Sequence, residues 1–263
     1  MSIVLRIVRY ELENVVRNRW VIAYGLFFLV MTDTLLRLGG STPRALVSLL
    51  NIVVLLIPLV TIVFGTIYWH GAREFTELLL AQPVARPSLF HGLFAGLVFP
   101  LSAAFIGGVT IPLLLHGAVT TETGGGLALM LLAGVALTGV FGALAVLIGG
   151  LVEDRLKGLG VALGVWLLLS VVYDGIVLGI AAVFPDAPLE LPMLALTFLN
   201  PVDLARVLLA LHFDVSALMG YTGAVFLKVL GGAAGSFAAL VGLGVWTLVP
   251  GLFALRAFQW KDL

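Results

Sequence analysis

The stretch GGLALMLLAGVALTGVFGALAVLIGGLV, Gly125 to Val152, decides the fold class. It holds no charged side chain, and its only hydroxyl is that of Thr138. A hydrocarbon core about 30 Å thick is crossed by about 20 apolar residues in a helix, because in lipid every backbone polar group must be satisfied internally. Five further segments reach that length: Trp20 to Leu38, Ala45 to Trp69, Leu89 to Leu115, Leu159 to Phe184 and Gly223 to Leu255. The composition agrees, with 61% hydrophobic and 11% charged residues. Soluble domains carry about 25% charged residues, so a water-soluble fold is excluded. The expected fold is an all-α membrane protein of six transmembrane helices forming one transmembrane domain over residues 1–263.

Outward from the spans, the chain opens with Leu5, Val8, Leu12, Val15 and Val16 at helical spacing and Arg6, Arg9, Glu13 and Arg17 on the other side. That pattern predicts an interfacial amphipathic helix over residues 1–19, anchored by Arg17, Arg19 and Trp20. The same charges interrupt any apolar signal-peptide region, so the first span is expected to act as its own insertion signal. Net charge is zero and cysteine is absent, which gives no basic nucleic-acid surface, no disulfide and no thiolate metal site.

Loop charges predict orientation. With the N-terminus inside, Arg6, Arg9, Arg17, Arg19, Arg73, Arg86, Arg155, Lys157, Arg256 and Lys261 are cytoplasmic, while Arg37, Arg44, Arg206 and Lys228 lie outside. The excess predicts an inner-membrane protein with both termini in the cytoplasm.

Two connections stand out. Between spans two and three, Arg73-Glu74-Phe75-Thr76-Glu77-Leu78-Leu79-Leu80 reads as a short amphipathic helix ended by Pro83, and Arg73, Glu74, Phe75, Glu77 and Leu78 are the candidates for docking a cytoplasmic partner. Between spans five and six, Pro185 to Thr222 is a long periplasmic segment with short helices expected over Leu191 to Leu199 and Leu204 to Leu211. Helix connections usually take about 2 to 8 residues, so this excess needs a reason, and the apolar segment is expected to fold back on the bundle and meet a periplasmic partner. Asn200 is placed to cap a helix starting at Pro201, with Asp203 in its first turn, and Asn200, Pro201, Asp203 and Arg206 are the candidate docking residues there.

Asp174 is the one acid near the centre of a span. An intramembrane acid is expensive unless paired, protonated or facing water. No cation is evident nearby in sequence, so a neutral acid bonded to Ser170, Tyr173 or Thr138 is expected, or else a functional polar site. The pairs Gly92/Gly96, Gly160/Gly164, Gly175/Gly179 and Gly231/Gly235 predict close helix packing, within the chain or at a dimer seam.

Other chemistry is weak. His70, Glu74 and Glu77 share a helix face but lack the H-E-x-x-H order of a zinc hydrolase, and Met193, His212 and Met219 match no copper-site spacing. Ser102, Ser170 and Ser236 have no neighbouring base pattern, so the chain is not expected to be an enzyme.

Three segments together resemble a known group. Arg9-Tyr10-Glu11-Leu12 with Arg17-Asn18-Arg19-Trp20, Gly160 to Trp166 through Tyr173-Asp174, and Leu199-Asn200-Pro201-Val202-Asp203-Leu204 resemble ABC-2-type permeases, in particular those of nitrous oxide reductase copper-site maturation. The resemblance implies an elbow helix over residues 1–19, a coupling helix at Arg73 to Leu80, a homodimer, two cytoplasmic ATPase subunits and a periplasmic β-helical partner. It implies no cofactor in this chain, with ATP and Mg held by the ATPase. No Walker A pattern occurs here, so ATP hydrolysis is expected in a separate subunit. The alternative within the family is an exporter of a lipid, drug or other hydrophobic solute.

Overall fold

The computed structural model describes residues 18–39, 41–80, 85–184, 190–213, 226 and 230–260. Residues 1–17 of the interfacial helix expected over residues 1–19, and residues 185–189 and 214–222 of the periplasmic segment, lie outside the described residues.

The helix that opened the reading, α5 (Thr121–Leu151), begins four residues earlier than its apolar run, because Thr120 caps it. The Thr120 backbone N–H donates to the Thr123 hydroxyl at 2.9 Å, and the Thr120 hydroxyl accepts from the Thr123 N–H at 3.3 Å. This reciprocal pair satisfies two donors that no helical carbonyl can reach. Because α5 is apolar on every side, it is a buried helix, and Met130, Leu137, Val140 and Phe141 are fully enclosed.

Against it pack α2 (Thr42–Gly71), α4 (Arg86–Leu115) and α10 (Gly232–Trp260), while α1 (Arg19–Leu38) packs on α4 and α2. The short α3 (Arg73–Leu80) follows α2. Another span is composite: α6 (Arg155–Leu167) runs through a π-helical turn, Leu168–Val172, into α7 (Tyr173–Val183). Two short helices, α8 (Glu190–Phe198) and α9 (Pro201–Phe213), lie between that span and α10. Six helices are long and apolar enough to cross a membrane, and no strand occurs among the described residues. Pro58, Pro100, Pro112 and Pro250 sit inside spans, where neighbouring helices shield the carbonyls they free.

Side-chain contacts give the direction of each span. Trp69 meets Phe90 and Phe258 edge-on, which places the end of α2, the start of α4 and the end of α10 on one face. Gly149 near the end of α5 lies against Trp69, and Gly158 at the start of α6 lies against His70. At the opposite face Leu36, Ala45 and Leu113 line one small cavity, joining the end of α1 to the start of α2 and the end of α4. The six spans therefore alternate, and Arg19 and Trp260 share a face, here termed near; the opposite one is far. The last long helix runs from Gly232 to Trp260, whereas the sequence reading puts that span at Gly223 to Leu255, of which residues 223–225 and 227–229 lie outside the described residues. Gly231, in the left-handed region at φ 70°, marks that start.

Of the glycine pairs read from sequence, Gly92 and Gly96 are buried and Gly235 packs against Phe226 and Leu211, but the tightest backbone approach falls elsewhere. A Cβ on Gly108 would lie 2.6 Å from the Gly25 carbonyl oxygen and 2.8 Å from the Phe28 Cβ. By contrast, Gly160, Gly164, Gly175 and Gly179 have nothing within 4 Å. Those four lie on α6 and α7, where Leu167, Ile176 and Leu178, with Val171 of the π turn between them, are also exposed.

Candidate functional site

The far-face segment does not lie on the membrane surface. Helix α7 ends at the far face, and α8 then runs back along it: Met193 packs against Val177, and deeper in the bundle the Tyr173 hydroxyl donates to the Leu196 carbonyl at 2.7 Å. At the turn, Asn200 Nδ2 donates to the Leu169 carbonyl at 2.8 Å, and Trp246 Nε1 donates to the Phe198 carbonyl at 3.0 Å. Leu169 and Trp246 are the middle residues of the spans Arg155–Val183 and Gly232–Trp260. The turn is therefore level with the middle of these two spans. From there α9 returns, bent by 108° from α8, until His212 reaches Gly125 at the far end of α5. Entry and exit share one face, so the pair is re-entrant and not a seventh span.

Local chemistry explains why this sequence turns there. Asn200 Oδ1 accepts the Val202 N–H at 3.0 Å and Pro201 opens the helix without a donor to satisfy, which is the capping role the sequence predicts. The π turn over Leu168–Val172 shifts the hydrogen-bond ladder of the fifth span at the carbonyl that Asn200 takes. Non-helical backbone at membrane depth is tolerated only inside protein, and Asn200 is fully buried. Along α9, Val202, Leu204, Ala205, Val207, Leu208 and Leu209 are all enclosed.

One cation lies among these residues. Arg206 Nη1 donates to both carboxylate oxygens of Asp174, at 3.1 and 3.0 Å, and to Asp203 Oδ1 at 3.0 Å. The expectation that Asp174 has no cation partner is thus corrected: its partner is 32 residues away in sequence and arrives on a helix that re-enters the membrane. The expected neutral partners are engaged elsewhere or unpaired. Thr138 donates to the Gly134 carbonyl within its own helix, and the Ser170 hydroxyl has no partner. Asp203 and Arg206, expected to present a polar pair outward, are turned inward instead. The Asp203 side chain is 2% exposed and that of Arg206 26%. Asp174 keeps 37% exposure on the face it shares with the exposed Val171 and Leu178.

A second polar region lies at the near face. Helix α3 forms as expected, its Thr76 N–H and hydroxyl both donating to the Ala72 carbonyl at 2.9 and 2.8 Å. Thr76 is buried, Phe75 half-buried, and Leu78 and Arg73 exposed, so an apolar residue stands open beside a charged one. The side chains of Glu74 and Glu77 lie outside the described residues. Directly before α3, His70 Nδ1 is 2.8 Å from the Thr66 carbonyl and Nε2 is 2.9 Å from the Val152 carbonyl. His70 thereby ties the root of α3 to the turn between α5 and α6.

The remaining candidates do not converge. Met193 is buried against α7, His212 lies against α5, and Met219 is outside the described residues. Sequence reasoning missed the Leu169 carbonyl and Trp246 as parts of the site, and it paired Tyr173 with Asp174 where its hydroxyl donates to the Leu196 carbonyl. The available signal was charge complementarity, since Asp174 and Arg206 are each a lone charge of their sign within an apolar run.

Comparison with known proteins agrees with this architecture. Two proteins named "Probable ABC transporter permease protein NosY" are each 29% identical to the chain. That of Stutzerimonas stutzeri aligns over 234 residues, 82% of this chain and 84% of the relative. That of Pseudomonas aeruginosa aligns over 238 residues, 84% of this chain and 86% of the relative. The family model described as "ABC-2 family transporter protein" matches residues 5–263. With six spans and that match over nearly its full length, the chain belongs to the ABC-2 transporter family and is a permease subunit of an ABC transporter.

Proposed function

We propose that this permease converts ATP hydrolysis by a separate cytoplasmic ATPase into movement of the re-entrant pair at the periplasmic face, in a homodimer that serves nitrous oxide reductase copper-site maturation. The observation that carries the mechanical part is the anchoring of α8 and α9 midway along the spans by the Asp174–Arg206–Asp203 cluster. A loop seated by a few polar contacts has two natural positions, seated and withdrawn, and small shifts of α7 favour one over the other. The maturation role is supported by the resemblance to the NosY permeases. The positive-inside bias makes the near face cytoplasmic, which puts both termini in the cytoplasm and the re-entrant pair at the periplasmic side of the inner membrane. A periplasmic β-helical protein would then meet the ends of α8 and α9, with Asn200, Pro201, Asp203 and Arg206 setting the position of the surface it touches.

The near-face helix α3 docks the ATPase in this reading, through Arg73, Glu74, Phe75, Glu77 and Leu78. Exposure of Leu78 beside a charged turn is what an interface core with a polar rim requires. Reversing both acids, Glu74→Lys with Glu77→Lys, is expected to weaken co-purification of the ATPase about tenfold or more, since opposed like charges cost several kcal/mol. Unchanged capture and unchanged ATPase stimulation would remove α3 from the interface.

The second copy covers α6 and α7. Asp174 is partly exposed there among apolar side chains, and a charge does not face lipid without cover. Gly164 and Gly175 have open space around them in the single subunit. Gly164→Leu with Gly175→Leu should leave the subunit folded and convert two copies per complex into one, measured by light scattering in detergent. A wild-type complex with one copy would refute the dimer.

The exporter alternative rests on a different feature. A groove of about 590 Å³ between α1 and α2, lined by Asn18, Trp20, Leu59, Val63, Phe64 and Tyr68, opens sideways near the near face. Flux of a labelled lipid or hydrophobic drug, dependent on ATP and blocked by Val63→Trp, would favour export over maturation.

A further inference from the structure

Where α5 and α10 end at the near face, they do not close on each other. Leu147 and Leu151 of α5 and Phe253, Arg256, Ala257 and Trp260 of α10 line a groove of about 790 Å³. On α10 these residues fall at i, i+3, i+4 and i+7, and on α5 at i and i+4, so each helix turns one face to the same space. Its volume lies within the about 300–1,000 Å³ of sites that hold small molecules. The lining is apolar except at one point: Arg256 is its only charged side chain, and no acid lines it.

That polarity is ordered along the membrane normal. Trp69 lies against both Phe258 and Gly149, which sets the last turns of α10 and α5 level with one another. Arg86, at the start of α4, donates to the Gln259 carbonyl at 2.8 Å, so Gln259 lies at the level of the near-face charges. Arg256 is three residues deeper, about 4.5 Å by the helical rise. Trp260, 87% exposed, stands at the rim, and beneath Phe253 the exposed Leu252 and Leu248 continue toward the middle of the span. A cation near the boundary with apolar surface below it matches the layout of a lipid, headgroup above and acyl chains beneath.

Arg256 is exposed and has no hydrogen bond or ion pair among the described residues. The phosphate of a lipid headgroup supplies an anion for it. A zwitterionic lipid would bring an ammonium as well, and the groove has no carboxylate to receive it. An anionic headgroup leaves no charge unmet. The groove between α1 and α2 does not offer this, since none of its lining residues is charged.

We propose that the groove between the near ends of α5 and α10 binds an anionic phospholipid of the near leaflet, with its phosphate on Arg256 and its acyl chains against Leu147, Leu151 and Phe253. The site does not depend on what the transporter moves.

The test uses the complex in phosphatidylcholine nanodiscs carrying a trace of phosphatidylglycerol with a photoactivatable acyl chain. Irradiation and peptide mapping should place the crosslinks on residues 147–151 and 253–260. Unlabelled phosphatidylglycerol should displace the probe about fivefold better than phosphatidylethanolamine, the effect of one arginine near an anionic headgroup. Inorganic phosphate should not displace it, which separates a lipid from a free anion. The preference should disappear in Arg256→Gln and persist in Arg256→Lys. Ala257→Trp, which fills the groove and keeps the charge, should abolish the crosslinks themselves. Equal displacement by the two lipids would reduce Arg256 to an arginine reaching bulk headgroups and overturn the site. Displacement by phosphate, or crosslinks spread evenly over the exposed faces of other spans, would overturn it as well. No crosslinks at either segment would mean that a second copy or the ATPase covers the groove, and the lipid site would fall with that result too.

Discussion

Arg206→Gln should destabilise the subunit by about 3 kcal/mol, because removing one partner of a buried ion pair leaves its counter-charges without compensation. Here two acids are left, one of them enclosed at 2% exposure. The lower end of the usual range applies because Arg206 itself is 26% exposed and part of its charge is already hydrated. The loss should appear as a lower unfolding temperature in detergent and a smaller yield of monodisperse protein. Asp174→Asn in the same chain should restore a large part of it, since the two residues share one interaction and their effects are not additive. If Arg206→Gln and wild type unfold together, the cluster does not hold α9 in place.

The second large effect concerns close packing, where the backbone itself is the obstacle. Gly108→Ala puts a methyl group 2.6 Å from the Gly25 carbonyl oxygen and 3.2 Å from the Leu29 nitrogen. Neither can rotate away, so α1 and α4 must separate, at about 1–3 kcal/mol. Gly164→Ala is the control: it meets nothing within 4 Å, and in the isolated subunit it should change stability by less than about 0.5 kcal/mol. Thermal unfolding of the two variants side by side decides the matter. Equal shifts would mean that the contact between α1 and α4 is looser than the structure has it.

These two sites also separate what could be read from the chain alone. Arg206 and Asp174 were both visible as charges in apolar company, yet their pairing was not. Sequence placed Arg206 in an external segment, because α9 is only 13 residues long, too short to cross a bilayer. Hydropathy measures whether a segment can span and cannot tell a surface helix from one that dips in and returns. The glycines teach a similar lesson. The G-x-x-x-G spacing on α6 and α7 finds glycines that share a helix face, and that face is open in this subunit, whereas the tight contact falls at Gly108.

What the sequence by itself determined was everything governed by the solvent. Six spans, their alternation, the cap of Asn200 on α9 and the amphipathic α3 all follow from one rule: backbone polar groups and apolar side chains must each meet a compatible medium within a few residues. What only the tertiary structure decided was everything governed by partners distant along the chain. The seat of Asn200 on the Leu169 carbonyl, the bond from Trp246 to Phe198 and the bridge from Arg206 to Asp174 join residues 31, 48 and 32 positions apart. Nothing local favours these contacts over others. They exist because α8 and α9, once turned inward, leave polar groups in a low-dielectric interior that must be satisfied by whichever helices pack against them.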